Sequence, residues 1–189
     1  MNRHLTIKFR LLGIFPLIFF AAHLFHFLST GEFGHILWLC HLSNLTLALG
    51  LFFDQRILIR VSALWLAYGL LLWLWNLAEL GLESITSVGT HIGGLVVGLA
   101  ALSSVRMERG IWLYATVWFL IVQQLCRLIT PAALNVNLAH SVYFGWESMF
   151  NAYWQYWLFT SLSTGIGLWI FEIILLKFWP PERRVIRDS

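Results

Sequence analysis

The sequence predicts an all-helical, polytopic membrane protein with six transmembrane helices, and three observations carry that prediction. Of 189 residues, 59% are hydrophobic and only 11% charged, against about 25% charged in an ordinary soluble domain. The apolar residues gather into several runs near the length, roughly 20 residues, that crosses a bilayer as a helix. The basic residues fall almost entirely on alternate connections between those runs. The whole chain, 1–189, is then one integral membrane domain with no separate soluble part. Its net charge of +3 is scattered over chain ends and short turns, so no nucleic-acid-binding patch is expected.

The first helix is expected over about 9–28. Arg3, Lys8 and Arg10 precede its apolar run as in a signal peptide, but the run is long and lacks a small-residue cleavage site, so it reads as a retained helix. Pro16 should kink it, and His23 and His26, three residues apart, share a face near its end. The second helix, 35–53, is divided along its length. Cys40, His41, Ser43, Asn44 and Thr46 crowd its first half, and Leu47 to Phe53 is hydrocarbon apart from Gly50. Asn44-Leu45-Thr46 matches the glycosylation pattern, but it lies within a span and is not expected to be modified.

The third helix, 57–80, is apolar until Asn76 and Glu79, which with Glu83 form one helical stripe. The fourth, 88–105, carries Thr90 and His91 near its start, and Gly93, Gly94 and Gly98 would let a partner helix approach closely. The fifth, 111–129, ends with Gln123, Gln124 and Arg127. In segment 130–151, Val142, Trp146, Met149, Phe150 and Tyr153 recur at helical spacing. It reads as an interfacial or re-entrant helix between helices 5 and 6. The sixth helix, 153–178, opens in an aromatic belt of Tyr153, Trp154, Tyr156 and Trp157. Trp179-Pro180-Pro181 ends it, and 179–189 is a cytoplasmic tail. Cys40 and Cys126 both fall inside helices, and nothing in the sequence brings them together as a disulfide.

Six helices put eleven of the twelve Lys and Arg on one side, with Arg127 alone on the other. By the positive-inside rule both termini are cytoplasmic and the protein sits in the cell membrane. Six of the seven histidines then lie in or near the outer half; His4 is in the cytoplasmic N-terminus. Glu172 is the exception in depth: it sits towards the cytoplasmic end of helix 6, where a neighbouring cation or the interface is expected to receive it.

Ionisable residues at membrane depth face a cavity or the bundle interior, so the outer half should hold a polar site. Its ligand would be a membrane lipid or other amphiphile, with Asn44, Asn76, Glu79 and His140 as binding residues. Cys40 beside His41 and His91 suits a nucleophile–base pair, as in an acyl hydrolase or transferase. Adjacent residues on a helix point about 100° apart, which makes His91 the better base for Cys40. His23, His26, His41 and His91 alternatively suit a metal or haem. A third alternative is a non-catalytic assembly protein with Gly93, Gly94 and Gly98 as its contact surface.

The stretch Leu37-Trp38-Leu39-Cys40-His41-Leu42-Ser43-Asn44-Leu45 resembles a segment of a group of uncharacterised bacterial multi-pass proteins. That group has a similar cysteine-bearing stretch, a later histidine at a helix start and an Asn-x-Asn segment. Cys40, His91 and Asn135-Val136-Asn137 correspond here. The chain also resembles, more faintly, the YwaF-type proteins and the androgen-induced-gene-type lipid hydrolases, both with six helices. That resemblance implies a nucleophile in helix 2, at Cys40 or Thr46, and a catalytic histidine in helix 4, at His91.

Overall fold

The computed structural model describes residues 5–81 and 84–182. Glu83, His4, Arg3, Arg183, Arg184 and Arg187 lie outside that range. The described residues form helices and connecting turns with no strand among them. Helices α1 (Ile7–Leu11) and α2 (Ile14–Thr30) make one rod with a break between them. The break sits just ahead of Pro16, whose ring crowds the carbonyl of Leu12 four residues back. After α3 (Leu39–Phe52) and α4 (Arg56–Leu80), α5 (Ile85–Val88) passes through a π-helical turn, Gly89–Gly93, into α6 (Gly94–Val105). Helices α7 (Ile111–Ile129) and α8 (Tyr153–Phe178) complete the chain.

Five rods are long and apolar enough to cross a membrane: 7–30, 56–79, 85–105, 111–129 and 153–178. The sixth span expected over 35–53 is shorter. Residues Phe33–Leu37 form a 3-10 turn, Trp38 is extended, and α3 begins only at Leu39. With 14 residues, α3 rises about 21 Å, less than the roughly 30 Å of a hydrocarbon core. Its start is fixed from far along the chain, because the Leu39 amide donates to Asn137 Oδ1 at 3.1 Å.

The interfacial helix expected over 130–151 does not form. Three short 3-10 turns, Ala132–Leu134, Val136–Leu138 and Glu147–Met149, stand in its place. Asn135, Asn137 and Leu138 adopt left-handed φ, which ends any right-handed helix after a turn. Val136 and Ala139, outside that apolar stripe, are the apolar residues of the segment buried under the bundle end. Asn135 Oδ1 accepts from the amides of His140 and Ser141 at 2.9 and 3.0 Å, closing the loop on itself.

Helix α4 is the central rod. Every residue from Ile59 to Ala67 is buried, the polar Arg60 and Ser62 among them. Trp65, Leu64 and Val61 pack with Ala115, Phe119 and Leu168 of α7 and α8. Ile59 and Leu66 pack with Leu47, Leu51, Ala101 and Val105 of α3 and α6. Outward, Leu113, Val117, Ile121 and Leu128 of α7 and Leu158, Leu162 and Ile166 of α8 are exposed. Such broad apolar faces suit contact with lipid.

The six rods run alternately between two ends. One is basic. There Arg10 of α1 binds the Phe52 carbonyl, and the Leu5 amide donates to Asp54. Arg60 Nε and Nη2 donate to the carbonyls of Arg106 and Val105 at the end of α6, at 2.8 and 3.0 Å. Arg60 also pairs with Glu108 at 2.8 Å. Glu172 finds its partner here too, and it is not a cation. Its carboxylate accepts from the Gly110 and Trp112 amides at 3.0 and 2.8 Å, capping the start of α7, where unpaired amides favour negative charge. The opposite end gathers the histidines.

Candidate functional site

At the histidine end α2, α3 and the π turn each deliver one buried imidazole. His23, His41 and His91 have ring centroids 4.2 Å apart from the first to the second and 6.0 Å from the second to the third. The next turn of α2 adds His26, stacked on His23 at 5.9 Å. Phe27 fills the space between, edge-on to His23 at 4.7 Å and stacked on His35 at 5.3 Å. Trp73 of α4 lies flat on His91 at 5.0 Å, with the ring planes 13° apart.

Each of the three rings is held through Nδ1. His41 Nδ1 bonds the His35 carbonyl at 2.9 Å, and His91 Nδ1 bonds the Ser87 carbonyl at 2.9 Å. A carbonyl only accepts, so both nitrogens carry the proton, and in a neutral ring the lone pair is left on Nε2. His23 Nδ1 bonds the Thr86 hydroxyl at 2.7 Å. Ser84 in turn bonds Thr86 at 2.9 Å and caps α5. His23 Nε2 is buried without a hydrogen-bond partner. His35 accepts from the Trp38 indole at 3.1 Å, which fixes the turn that presents its carbonyl to His41.

Asn44, also on α3, donates to the carbonyls of Cys40 and Thr90, each at 3.0 Å. It therefore ties α3 to the π turn one residue from His91. Its side-chain amide occupies the notch left by Gly94, where a Cβ would collide with it. Gly93 faces the Phe19 ring of α2, and Gly98 approaches the Ala63 backbone of α4. The glycines singled out in helix 4 thus serve contacts within the chain.

The other expected residues lie elsewhere. The Cys40 thiol seats against Gly69 of α4, where an added Cβ would stand 2.7 Å from the sulfur. Thr46 bonds Ser62 of α4 at 2.7 Å. Glu79 is exposed and accepts from the Tyr143 hydroxyl at 2.9 Å. Burial, followed by that hydrogen bond and the Glu79 charge, pushes the Tyr143 phenol above its usual pKa. His140 Nε2 bonds the Thr130 hydroxyl at 3.1 Å in the loop that caps the bundle end. Asn76 is half-buried, one turn beyond Trp73. Both cysteines are free.

Phe27, Trp73, Thr86 and Ser87 are the residues that sequence reasoning missed. Phe27 and His23 are four apart on one helix, a spacing that puts them on one face. Trp73 gave no comparable signal, because a tryptophan within an apolar run reads as packing. Among the described residues no three His, Cys, Asp or Glu side chains are placed to hold a metal ion. Two surface crevices open at this end, one beside Arg127 and Tyr153, the other between Phe33, Leu37 and Leu134. The imidazoles line neither.

Comparison with protein-family models, with curated proteins and with solved structures finds no match to this chain.

Proposed function

We propose that the chain is an integral membrane protein, with both termini cytoplasmic, that binds a lipid or other amphiphile at the imidazole cluster in the outer half of the bilayer. The orientation rests on the positive-inside rule applied to the basic end. One observation carries the binding reading. Three imidazoles from three separate elements are buried in ring contact, each held through Nδ1, and His23 Nε2 is left without a partner. A buried unsatisfied polar group costs about 1–3 kcal/mol. Polar residues at membrane depth commonly mark a ligand path or site.

At His41 and His91, where Nδ1 carries the proton, Nε2 accepts, so a head group that meets those two rings is one that donates: a hydroxyl, an amine or an ammonium. The acyl-transfer form of this reading has less support. Cys40 packs on Gly69 and Thr46 on Ser62, so neither nucleophile candidate of helix 2 is paired with His91. A metal centre is the second reading. Fixing Nδ1 on a carbonyl or hydroxyl is how proteins orient imidazoles that bind metal through Nε2. Against it, the donors do not converge among the described residues.

The test measures co-purified amphiphiles by mass spectrometry and metal content by elemental analysis, in the wild type and in His41→Ala, His91→Ala and the double variant. One amphiphile should be retained by the wild type and lost from each single variant, with little further loss in the double, because groups acting as a unit are non-additive. Equal retention in all four proteins overturns the reading. Stoichiometric metal lost from the same variants replaces it with the metal centre.

A further inference from the structure

The imidazole cluster leaves one feature of the same end unused. Arg127, in the last turn of α7, and Tyr153, Trp154 and Trp157, in the first turns of α8, line an open groove of about 450 Å³. Of the described Lys and Arg, Arg127 alone lies at the histidine end. Its guanidinium lies 5.2 Å from the centre of the Tyr153 ring, within cation–π range. The Tyr153 hydroxyl is occupied, donating to the Leu138 and Ala139 carbonyls. That anchors the ring beneath the arginine. Trp157 lines the same groove, and its indole Nε1 is buried there without an acceptor in the protein.

A guanidinium and an unpartnered indole N–H are donors without an acceptor, and together they call for an anion. Helix α7 has 19 residues, so Arg127 in its last turn stands at head-group depth if α7 spans the bilayer. Below the groove, α8 continues as an exposed apolar stripe of Trp154, Leu158, Leu162 and Ile166 at four-residue spacing. Charge at the interface above a lipid-facing apolar track fits one ligand class. We infer that the α7–α8 groove is a specific site for a glycerophospholipid, with the phosphate held by Arg127 and the Trp157 indole and an acyl chain along the α8 stripe. Arginine suits the task because its planar fork meets two phosphate oxygens at once.

Native mass spectrometry of the full chain in detergent tests this, with phosphatidylglycerol and a phosphate-free galactolipid of matched acyl chains as ligands. The wild type should bind phosphatidylglycerol in preference to the galactolipid. Loss of a charge-assisted hydrogen bond in Arg127→Gln should weaken phosphatidylglycerol binding about tenfold. Arg127→Lys should fall between the two, and Trp157→Phe, which keeps the ring and removes the N–H, should also weaken binding. Arg109→Gln at the opposite end should change nothing. Equal binding of the two lipids overturns the inference, as does full binding by Arg127→Gln and Trp157→Phe. Displacement by millimolar inorganic phosphate would assign the groove to a soluble anion and likewise overturn it. None of these outcomes bears on the histidines, so the two readings fail separately.

Discussion

Replacing Asn137 tests whether the 130–151 segment holds the histidine end together. Its side chain accepts from the Leu39 amide at 3.1 Å, and its Nδ2 donates to the Leu37 carbonyl at 2.8 Å and to the Cys126 sulfur at 3.3 Å. Its own carbonyl accepts from Gln123 at 3.0 Å, and its φ is +51°. Asn137→Ala removes the side-chain bonds and strands the buried Leu39 amide and the half-buried Leu37 carbonyl. At about 1–3 kcal/mol for each stranded group, the loss is about 2–6 kcal/mol. A left-handed φ adds about 1–2 kcal/mol for alanine. Asn137→Gly loses the same bonds without that strain, so it should fall between wild type and alanine. At about 2–4 °C per kcal/mol for a chain of this size, Asn137→Ala should lower the thermal midpoint by about 10 °C or more. Intrinsic tryptophan fluorescence in detergent reads the midpoint. A shift under about 2 °C, below the roughly 4 °C that two stranded groups cost at the least, would refute the capping role. Equal shifts for Ala and Gly would remove the strain contribution alone.

The remaining predictions concern other parts of the bundle. Glu172→Gln keeps one good acceptor for two amides and should cost about 1–3 kcal/mol, with faster hydrogen exchange at Gly110 and Trp112 but not at Leu39; unchanged exchange at the start of α7 counts against the cap. Gly69→Ala overpacks the seat of Cys40 and should cost about 1–3 kcal/mol. Most of that loss should be recovered by adding Cys40→Ala, and additive losses would mean the thiol does not seat there. Reporter fusions at position 33 and at the C-terminus should report opposite sides, the latter cytoplasmic; signals from the same side defeat the six-rod topology.

The rods were legible because the apolar runs are long. The end of α7 at Ile129 and both ends of α8 match the bounds read from hydrophobicity and from Pro180 and Pro181. The region around Trp38 was not legible, because nothing local stops a helix from starting at His35. What stops it is the Asn137 cap, 98 residues away, and the His35 carbonyl turned to His41. The 130–151 segment misled for a related reason. Spacings of three and four among Val142, Trp146, Met149 and Phe150 fit a helix, but they say nothing of the left-handed turns at Asn135 and Asn137 that break the chain first. Of the site, the clustering of polar residues at one end could be read from the sequence. The seating of Cys40 on Gly69 could not, since it depends on how α3 rotates against α4.

The π turn at Gly89–Gly93 has a geometric consequence for the whole histidine end. Such a turn holds one residue more than an α-helical ladder of the same rise. The two halves of the rod are therefore out of phase, by about 100° for that single residue. The phase before the turn aims Thr86 at His23 of α2 and Ser87 at the Trp73 indole of α4. The phase after it sets Gly94 against Asn44 and Gly98 against Ala63. A regular helix of the same sequence could keep one set of partners and would swing the other away. The surplus residue lets a single rod address two otherwise incompatible sets of neighbours, with His91 at the joint.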